Sequence, residues 1–144
     1  MKKIIIISLI SLFMTFTGCS GINNSKSDYN LEKFEDALKD KGYNFEIKDV
    51  QKNFLPTTRK RILIKDEALD IYIFKNTKKM ESEASNIDSG GCSYYGRNAV
   101  DVSWVSFPHF YKKGSLIVQY VGENENIISD LEDILGEQFA GYTP

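Results

Sequence analysis

The sequence predicts an α+β fold. The expected form is a single two-layer sandwich, in which a mainly antiparallel five-stranded sheet carries helices packed on one face, in the order α-β-β-β-α-β-β-α. Three observations predict it. Apolar residues recur at helical spacing in two stretches, 31–38 and 127–135. Segments that alternate apolar and polar residues lie between them. The connections between the second and third and between the fourth and fifth of these segments are too short for a crossover helix, so those strands form hairpins and the sheet is mainly antiparallel. Amphipathic helices must then bury their stripes against a sheet face.

Each element has its own signal. Leu31, Phe34, Ala37 and Leu38 make the first helical stripe, with Asn30 placed to cap it and Gly42 to close it. Tyr43, Phe45 and Ile47 alternate as a first strand. Residues 61–65, centred on Ile62-Leu63-Ile64, form a second, and Asp66-Glu67 turns the chain. Leu69, Ile71 and Ile73 define the third. Tyr72 and Phe74 occupy its other face, so both faces of that strand can be covered. Thr77 opens a weaker helix with Met80, Ala84 and Ile87 inward, and Ser89-Gly90-Gly91 breaks it. Val100, Val102 and Trp104 alternate as a fourth strand, which must end or bulge at Pro108 because proline has no N–H for a ladder. After the turn Lys112-Lys113-Gly114, the residues Leu116, Val118 and Tyr120 form the fifth. Asn124 caps a last helix with Ile127, Ile128, Leu131, Ile134 and Leu135 on one side, closed by Gly136.

The region before residue 29 reads differently. Lys2-Lys3 precede a run of thirteen residues, 4–16, that is apolar except for Ser8, Ser11 and Thr15. At 1.5 Å per residue this reaches about 20 Å, short of the roughly 30 Å hydrocarbon core of a membrane. The run has the size of the apolar core of a secretory signal. It ends in Phe16-Thr17-Gly18-Cys19. That tetrad resembles the lipobox of bacterial prolipoproteins, with Phe16 where leucine is usual. The resemblance implies diacylglyceryl transfer to the Cys19 sulfur and cleavage between Gly18 and Cys19. Residues 1–18 are then a signal peptide, 19–28 a lipidated cysteine with a Ser/Asn/Gly-rich tether, and 29–144 the globular domain. Two acyl chains hold a protein stably where one does not. The expected location is the extracytoplasmic face of the cell membrane.

Composition narrows the function. The whole chain of 144 residues carries a net charge of −2. Loss of Lys2 and Lys3 with the signal leaves 16 basic against 20 acidic residues, a net charge of −4. An acidic domain without clustered Lys and Arg is a poor nucleic-acid partner. With Cys19 lipidated, only Cys92 remains, so no internal disulfide forms and a monomer is expected.

The chemistry-bearing residues are few. His109 is the only histidine, and one imidazole with one thiol falls short of a zinc site. Ser103, Ser106, Ser115 and Asp101 lie near it in sequence, yet no catalytic motif joins them. No metal, cofactor or catalytic residue is therefore assigned. Cys92 in the loop before Arg97 reads as a small loop residue rather than a reactive thiol. Gly90-Gly91 lacks the lysine and hydroxyl ending of a phosphate loop. Arg59-Lys60-Arg61, with Lys52 and Lys65, is a local basic patch; it reads either as a strand end in solvent or as a surface for anionic headgroups. The densest aromatic stretch runs from Tyr94 to Tyr111. In it Trp104 is expected in the core, and His109, Phe110 and Tyr111 project toward an edge as the candidate surface site.

The run Trp104 to Phe107, then Pro108-His109-Phe110-Tyr111-Lys112, Tyr120-Val121-Gly122, and Ile134-Leu135-Gly136 with Phe139-Ala140-Gly141, is similar to small uncharacterised lipoproteins of Gram-positive bacteria. The resemblance implies an anchored α+β domain and carries no activity, ligand or catalytic residue with it. The expected function is a non-enzymatic domain that binds a small ligand or an envelope protein. The alternative is an envelope enzyme acting on peptide or glycan through the His109 region.

Overall fold

A computed structural model describes residues 29–144. The expected signal peptide, Cys19 and the expected tether lie outside the described residues. The elements are α1 (Leu31–Asp40), β1 (Glu46–Val50), β2 (Thr58–Ile64), β3 (Glu67–Ile73), α2 (Thr77–Ala84), β4 (Ser93–Tyr95), β5 (Ala99–Asp101), β6 (Pro108–Lys113), β7 (Leu116–Val121), α3 (Glu125–Leu135) and β8 (Ala140–Gly141). The fold is α+β, and every strand pair is antiparallel.

The main sheet has six strands in the order β1-β2-β3-β7-β6-β8, and β4 and β5 make a separate two-stranded hairpin. Five strands in one sheet were expected. The expected fourth strand falls on β5 and the coil after it, outside the main sheet. Its place is taken by β6, whose first four residues are all buried. With no exposed face β6 has no polar alternation, and that hid it.

Both faces of the sheet are covered, so the helices do not share one face. On the first face, Phe34 and Leu38 of α1 and Ile127, Leu131, Ile134 and Leu135 of α3 pack on Ile62, Ile71, Tyr111, Val118 and Tyr120. On the second face, Met80 and Ala84 of α2 join Tyr94 of the hairpin over Tyr72, Ile117 and Phe110. Phe54 and Leu55, from the connection between β1 and β2, plug this second core. The central strands explain the difference. Leu116 through Tyr120 are all buried, and each large apolar side chain removed from water is worth about 1.5–3 kcal/mol. An uncovered second face would forfeit that for Tyr72, Phe110 and Ile117.

Asn30 and Asn124 cap α1 and α3 as expected, and Asn76 caps α2. Asn30 accepts from Lys33 N at 3.1 Å, Asn76 from Lys79 N at 2.9 Å, and Asn124 from Asn126 N at 3.1 Å. Lys41 ties the end of α1 to α3 through Asp130 at 2.9 Å and Asp133 at 2.6 Å. The Tyr43 hydroxyl donates to Asp130 at 2.6 Å. Those bonds from Tyr43 and Lys41 hold the Asp130 carboxyl below the usual range. Burial, then the bond to Asp130, pushes the Tyr43 phenol up to about 12.

The turn between β6 and β7 anchors the start of the domain. Gly114 adopts φ 57°, and a Cβ there would lie 2.3 Å from the Tyr29 carbonyl oxygen. Ser115 N donates to that same oxygen at 2.9 Å, and Lys113 Nζ sits 4.6 Å from the Tyr29 ring centroid.

Candidate functional site

Strand β6 alternates its side chains between the two cores, and this decides the fate of the predicted surface site. His109 is 4 % exposed, and Phe110 and Tyr111 are fully buried. They form no surface patch. Phe110 points into the second core, with ring centroids 5.6 Å from Phe54 and 6.4 Å from Trp104. Tyr111 points into the first core. Trp104 is half-buried against the second core and donates from Nε1 to the Gly91 carbonyl at 2.8 Å. The aromatic stretch is therefore mainly packing, with one exception at its edge.

That exception is built around His109. Its ring lies nearly parallel to Tyr120, with centroids 6.0 Å apart. Nδ1 faces Gln138 Oε1 at 2.8 Å, and Nε2 faces the Gly122 carbonyl at 3.2 Å. Gln138 Nε2 donates to the Tyr142 carbonyl at 2.6 Å, which fixes which end of the amide meets the histidine. A neutral ring donates to one of the two oxygens, and a doubly protonated ring to both. His109 thus binds the C-terminal segment to β6. Two backbone bonds complete the seam: Phe139 N to Phe110 O at 2.9 Å and Tyr142 N to Pro108 O at 2.7 Å.

Over this seam lies a groove of about 510 Å³. Phe107 and Tyr142 stand at one wall, 39 % and 40 % exposed, stacked with centroids 3.9 Å apart and planes 15° from parallel. The outer stripe of α3 also lines it: Glu125, Ile128, Ser129 and Glu132, at helical spacing. Glu123 lines it as well and accepts from the Ser106 hydroxyl at 3.2 Å. Among the described residues, no Lys or Arg lines the groove. Glu125 also has a helix role, because a carboxylate in a first turn suits the positive end of the helix.

The hydroxyls and acids expected near His109 go elsewhere. Asp101 accepts from Ser93 at 2.7 Å, and Ser115 donates to Tyr29 O at 3.3 Å. Ser106 shares the groove with His109 only through Glu123. Among the described residues, no hydroxyl or carboxylate bonds to the imidazole.

A second cleft, of about 530 Å³, lies between α2 and the β4–β5 hairpin. At its base Glu83 is 7 % exposed. Lys79 and the Tyr94 hydroxyl both donate to it. Burial works against the charged carboxyl, yet those two bonds hold it below the usual range. Burial first, then Glu83, pushes the Tyr94 phenol up to about 12. With both carboxylate oxygens engaged, this cluster joins α2 to the hairpin.

The remaining sequence candidates resolve as structure. Arg61 makes two bonds to Asp70, at 2.8 and 2.9 Å, and Arg59 Nε lies 3.7 Å from the same carboxylate. Lys60 points to the other face and pairs with Asp49 at 2.8 Å. The basic run is thus split between two faces and partly neutralised. Cys92 is exposed and free. Its loop is shaped by Asp88, which accepts from Cys92 N at 2.8 Å and Gly90 N at 3.1 Å. No cluster of metal-ligating side chains is present among the described residues.

Sequence reasoning found His109 but missed its setting. Phe107 and Tyr142 are 35 positions apart, and nothing local links them. The strand that joins them, β8, is two residues long, below any periodicity signal. No family model matches the chain, and neither a curated protein sequence nor a solved structure matches it.

Proposed function

We propose that this chain is a lipid-anchored protein of the extracytoplasmic membrane face whose globular domain binds a ligand or partner without chemical turnover. The anchor reading rests on Lys2-Lys3, the short apolar run and Cys19. No described helix is long and apolar enough to cross a membrane, so among the described residues nothing competes with that anchor. The observation that carries the binding reading is the exposed Phe107–Tyr142 stack at the wall of the His109 groove. A folded domain buries two large rings against each other when it can; leaving both about 40 % exposed beside a groove suits recognition. Engagement of both His109 nitrogens in the seam favours binding over the alternative of an envelope enzyme acting on peptide or glycan.

Two experiments test this. Detergent-phase partitioning of wild type and Cys19→Ser addresses the anchor: equal partitioning removes it. A panel of small molecules and peptides, read by melting shift, addresses the groove. Shifts lost in Phe107→Ala and Tyr142→Ala support it, and shifts retained in both place binding elsewhere. Turnover of a peptide or glycan that disappears in folded His109→Ala would replace binding with catalysis.

A further inference from the structure

We infer that the end of the domain where the chain enters at Tyr29 docks on the anionic headgroups of a membrane, with the His109 groove facing away from it. The inference rests on the reading of Cys19 as the lipid anchor and adds the surface which that anchor presents. Tyr29 is fixed to the β6–β7 turn: Ser115 N donates to its carbonyl at 2.9 Å, and Lys113 Nζ stands 4.6 Å from its ring centroid. Phe74 N donates to Ser115 O at 2.9 Å, which brings the start of α2 to the same end. Lys33 in the first turn of α1, Lys75 and Lys78 on either side of the Asn76 cap, and Lys112 and Lys113 at the end of β6 therefore share this end of the sheet. The ten residues 19–28 span at most about 35 Å. A lipid on Cys19 thus keeps this end within reach of the bilayer surface.

Charge supplies the second, independent observation, because the two ends of the sheet differ in sign. At the Tyr29 end Lys33, Lys75, Lys78 and Lys113 are exposed, and Lys75 and Lys78 form no ion pair among the described residues. Lys113 Nζ donates to the Ile134 carbonyl at 2.5 Å rather than to an acid. Lys79 and Lys112 are paired with Glu83 and Glu81. Glu32 in the first turn of α1 and Glu137 after α3 bring two acids to this end, which leaves lysine in excess. The opposite end carries Asp66, Glu67, Glu123 and Glu125 against Lys65 and the ion-paired Lys41. β6 and β7 have six residues each, so the two ends lie about 17 Å apart. Screening at physiological salt acts over about 8 Å. Lysines at the near end then sit inside the field of an anionic surface, and the far acids sit outside it. The reverse orientation would set those acids against anionic lipid. Docking by the basic end holds Phe107, Tyr142 and the groove on the far side, open to a ligand from the medium.

The test uses the full lipid-anchored chain in nanodiscs of phosphatidylcholine, alone or with about 30 % phosphatidylglycerol, each doped with a gadolinium-chelate lipid. Lysines carry isotope-labelled methyl groups, which keep their charge, and each methyl signal reports its distance from the headgroups by paramagnetic relaxation. On anionic discs Lys75, Lys78 and Lys113 should relax about tenfold or more faster than Lys41 and Lys65, given the separation of the two ends. That ratio should fall severalfold on neutral discs and in high salt. Lys75→Glu combined with Lys78→Glu should lower it likewise at Lys113, with folding retained because acids suit the start of α2. Lys65→Glu, read against Lys41, should leave it unchanged. Equal relaxation at both ends on anionic discs overturns the docking and leaves the anchor standing, as does a ratio unchanged in the charge-reversed variant. A chain that fails to co-elute with neutral discs removes the anchor. Co-elution with anionic discs that is lost in the charge-reversed variant then upholds the docking, and absence of co-elution overturns it too. Soluble polyglutamate that shifts the Lys75 and Lys78 signals where anionic discs do not overturns the assignment to lipid in favour of an acidic protein.

Discussion

Tyr111→Phe removes a single oxygen from the middle of the first core. The Tyr111 ring is fully buried between the sheet and α3, yet its hydroxyl has no hydrogen-bond partner. Burial, with a contribution from Glu132, keeps the phenol above its ordinary value, so the group is a neutral, unpaired dipole in an apolar setting. Taking such a hydroxyl out of water costs about 1–3 kcal/mol by protein mutational data. Deleting the oxygen removes that cost. It also leaves a small gap, which forfeits some dispersion contacts, on the order of 0.5 kcal/mol. The net expectation is a gain of about 0.5–2 kcal/mol. For a domain of this size that raises Tm by roughly 3–6 °C per kcal/mol. Urea unfolding followed by circular dichroism, with an unchanged slope, would give the free energy directly. Tyr111→Ala, by contrast, should lose about 3–5 kcal/mol, because it empties the ring's volume. A loss of more than about 1 kcal/mol in Tyr111→Phe would mean that the hydroxyl has a partner, and the argument from an orphaned dipole would fail.

Four further outcomes are expected. Stability should fall as pH rises above about 10, because Tyr29, Tyr43, Tyr94 and Tyr120 are each pushed up to about 12 in the fold. The sign follows from their raised values: the stabilising contribution is complete below the unfolded phenol value and is lost through the folded one, and Tyr94→Phe should flatten part of the decline in a Tm–pH series. Gly114→Ala should cost about 2–4 kcal/mol in a thermal melt, since a left-handed backbone and contact with the Tyr29 backbone act together. Gly42→Ala, equally left-handed but with nothing within 4 Å, should cost only about 1 kcal/mol. Cys92→Ser should leave Tm within about 0.5 kcal/mol of wild type, and non-reducing gels should show a monomer in both; a dimer lost on substitution would contradict the loop reading.

The sequence was most legible where one face of an element is wet. α1 and α3 each carry a single apolar stripe, and both appear where periodicity placed them, under the expected Asn30 and Asn124 caps. β2, β3 and β7 were found from short apolar runs and tight turns. Legibility failed for β6, whose leading residues are buried on both faces, and for β4 and β5, which are three residues long. It failed for the layer count because Tyr72 and Ile117, apolar residues on the second face, signal cover without naming what provides it. His109 was singled out as a lone histidine beside a proline, and it does line the groove. Its exposure was misjudged because Gln138 and Tyr142, which close over it, return by an edge strand without a pattern of its own.

Groove and core divide β6 between them, and this makes the binding reading separable from stability. The interior side chains Phe110 and Tyr111 hold the two cores, and substituting either by alanine should unfold much of the domain. Phe107 lies just before the strand, and Tyr142 just after β8; their rings meet outside both cores. Each is held by backbone bonds that a side-chain substitution leaves intact: Gly122 N to Phe107 O at 3.0 Å, and Tyr142 N to Pro108 O at 2.7 Å. Losing one partner of an exposed ring stack costs about 0.5–1.5 kcal/mol, well within the margin of a typical domain. Phe107→Ala and Tyr142→Ala should therefore fold and fail to bind, whereas His109→Ala loosens the seam beneath them and confounds the two effects. The stacked pair, rather than the histidine that first drew notice, is the position at which recognition can be tested without disturbing the fold.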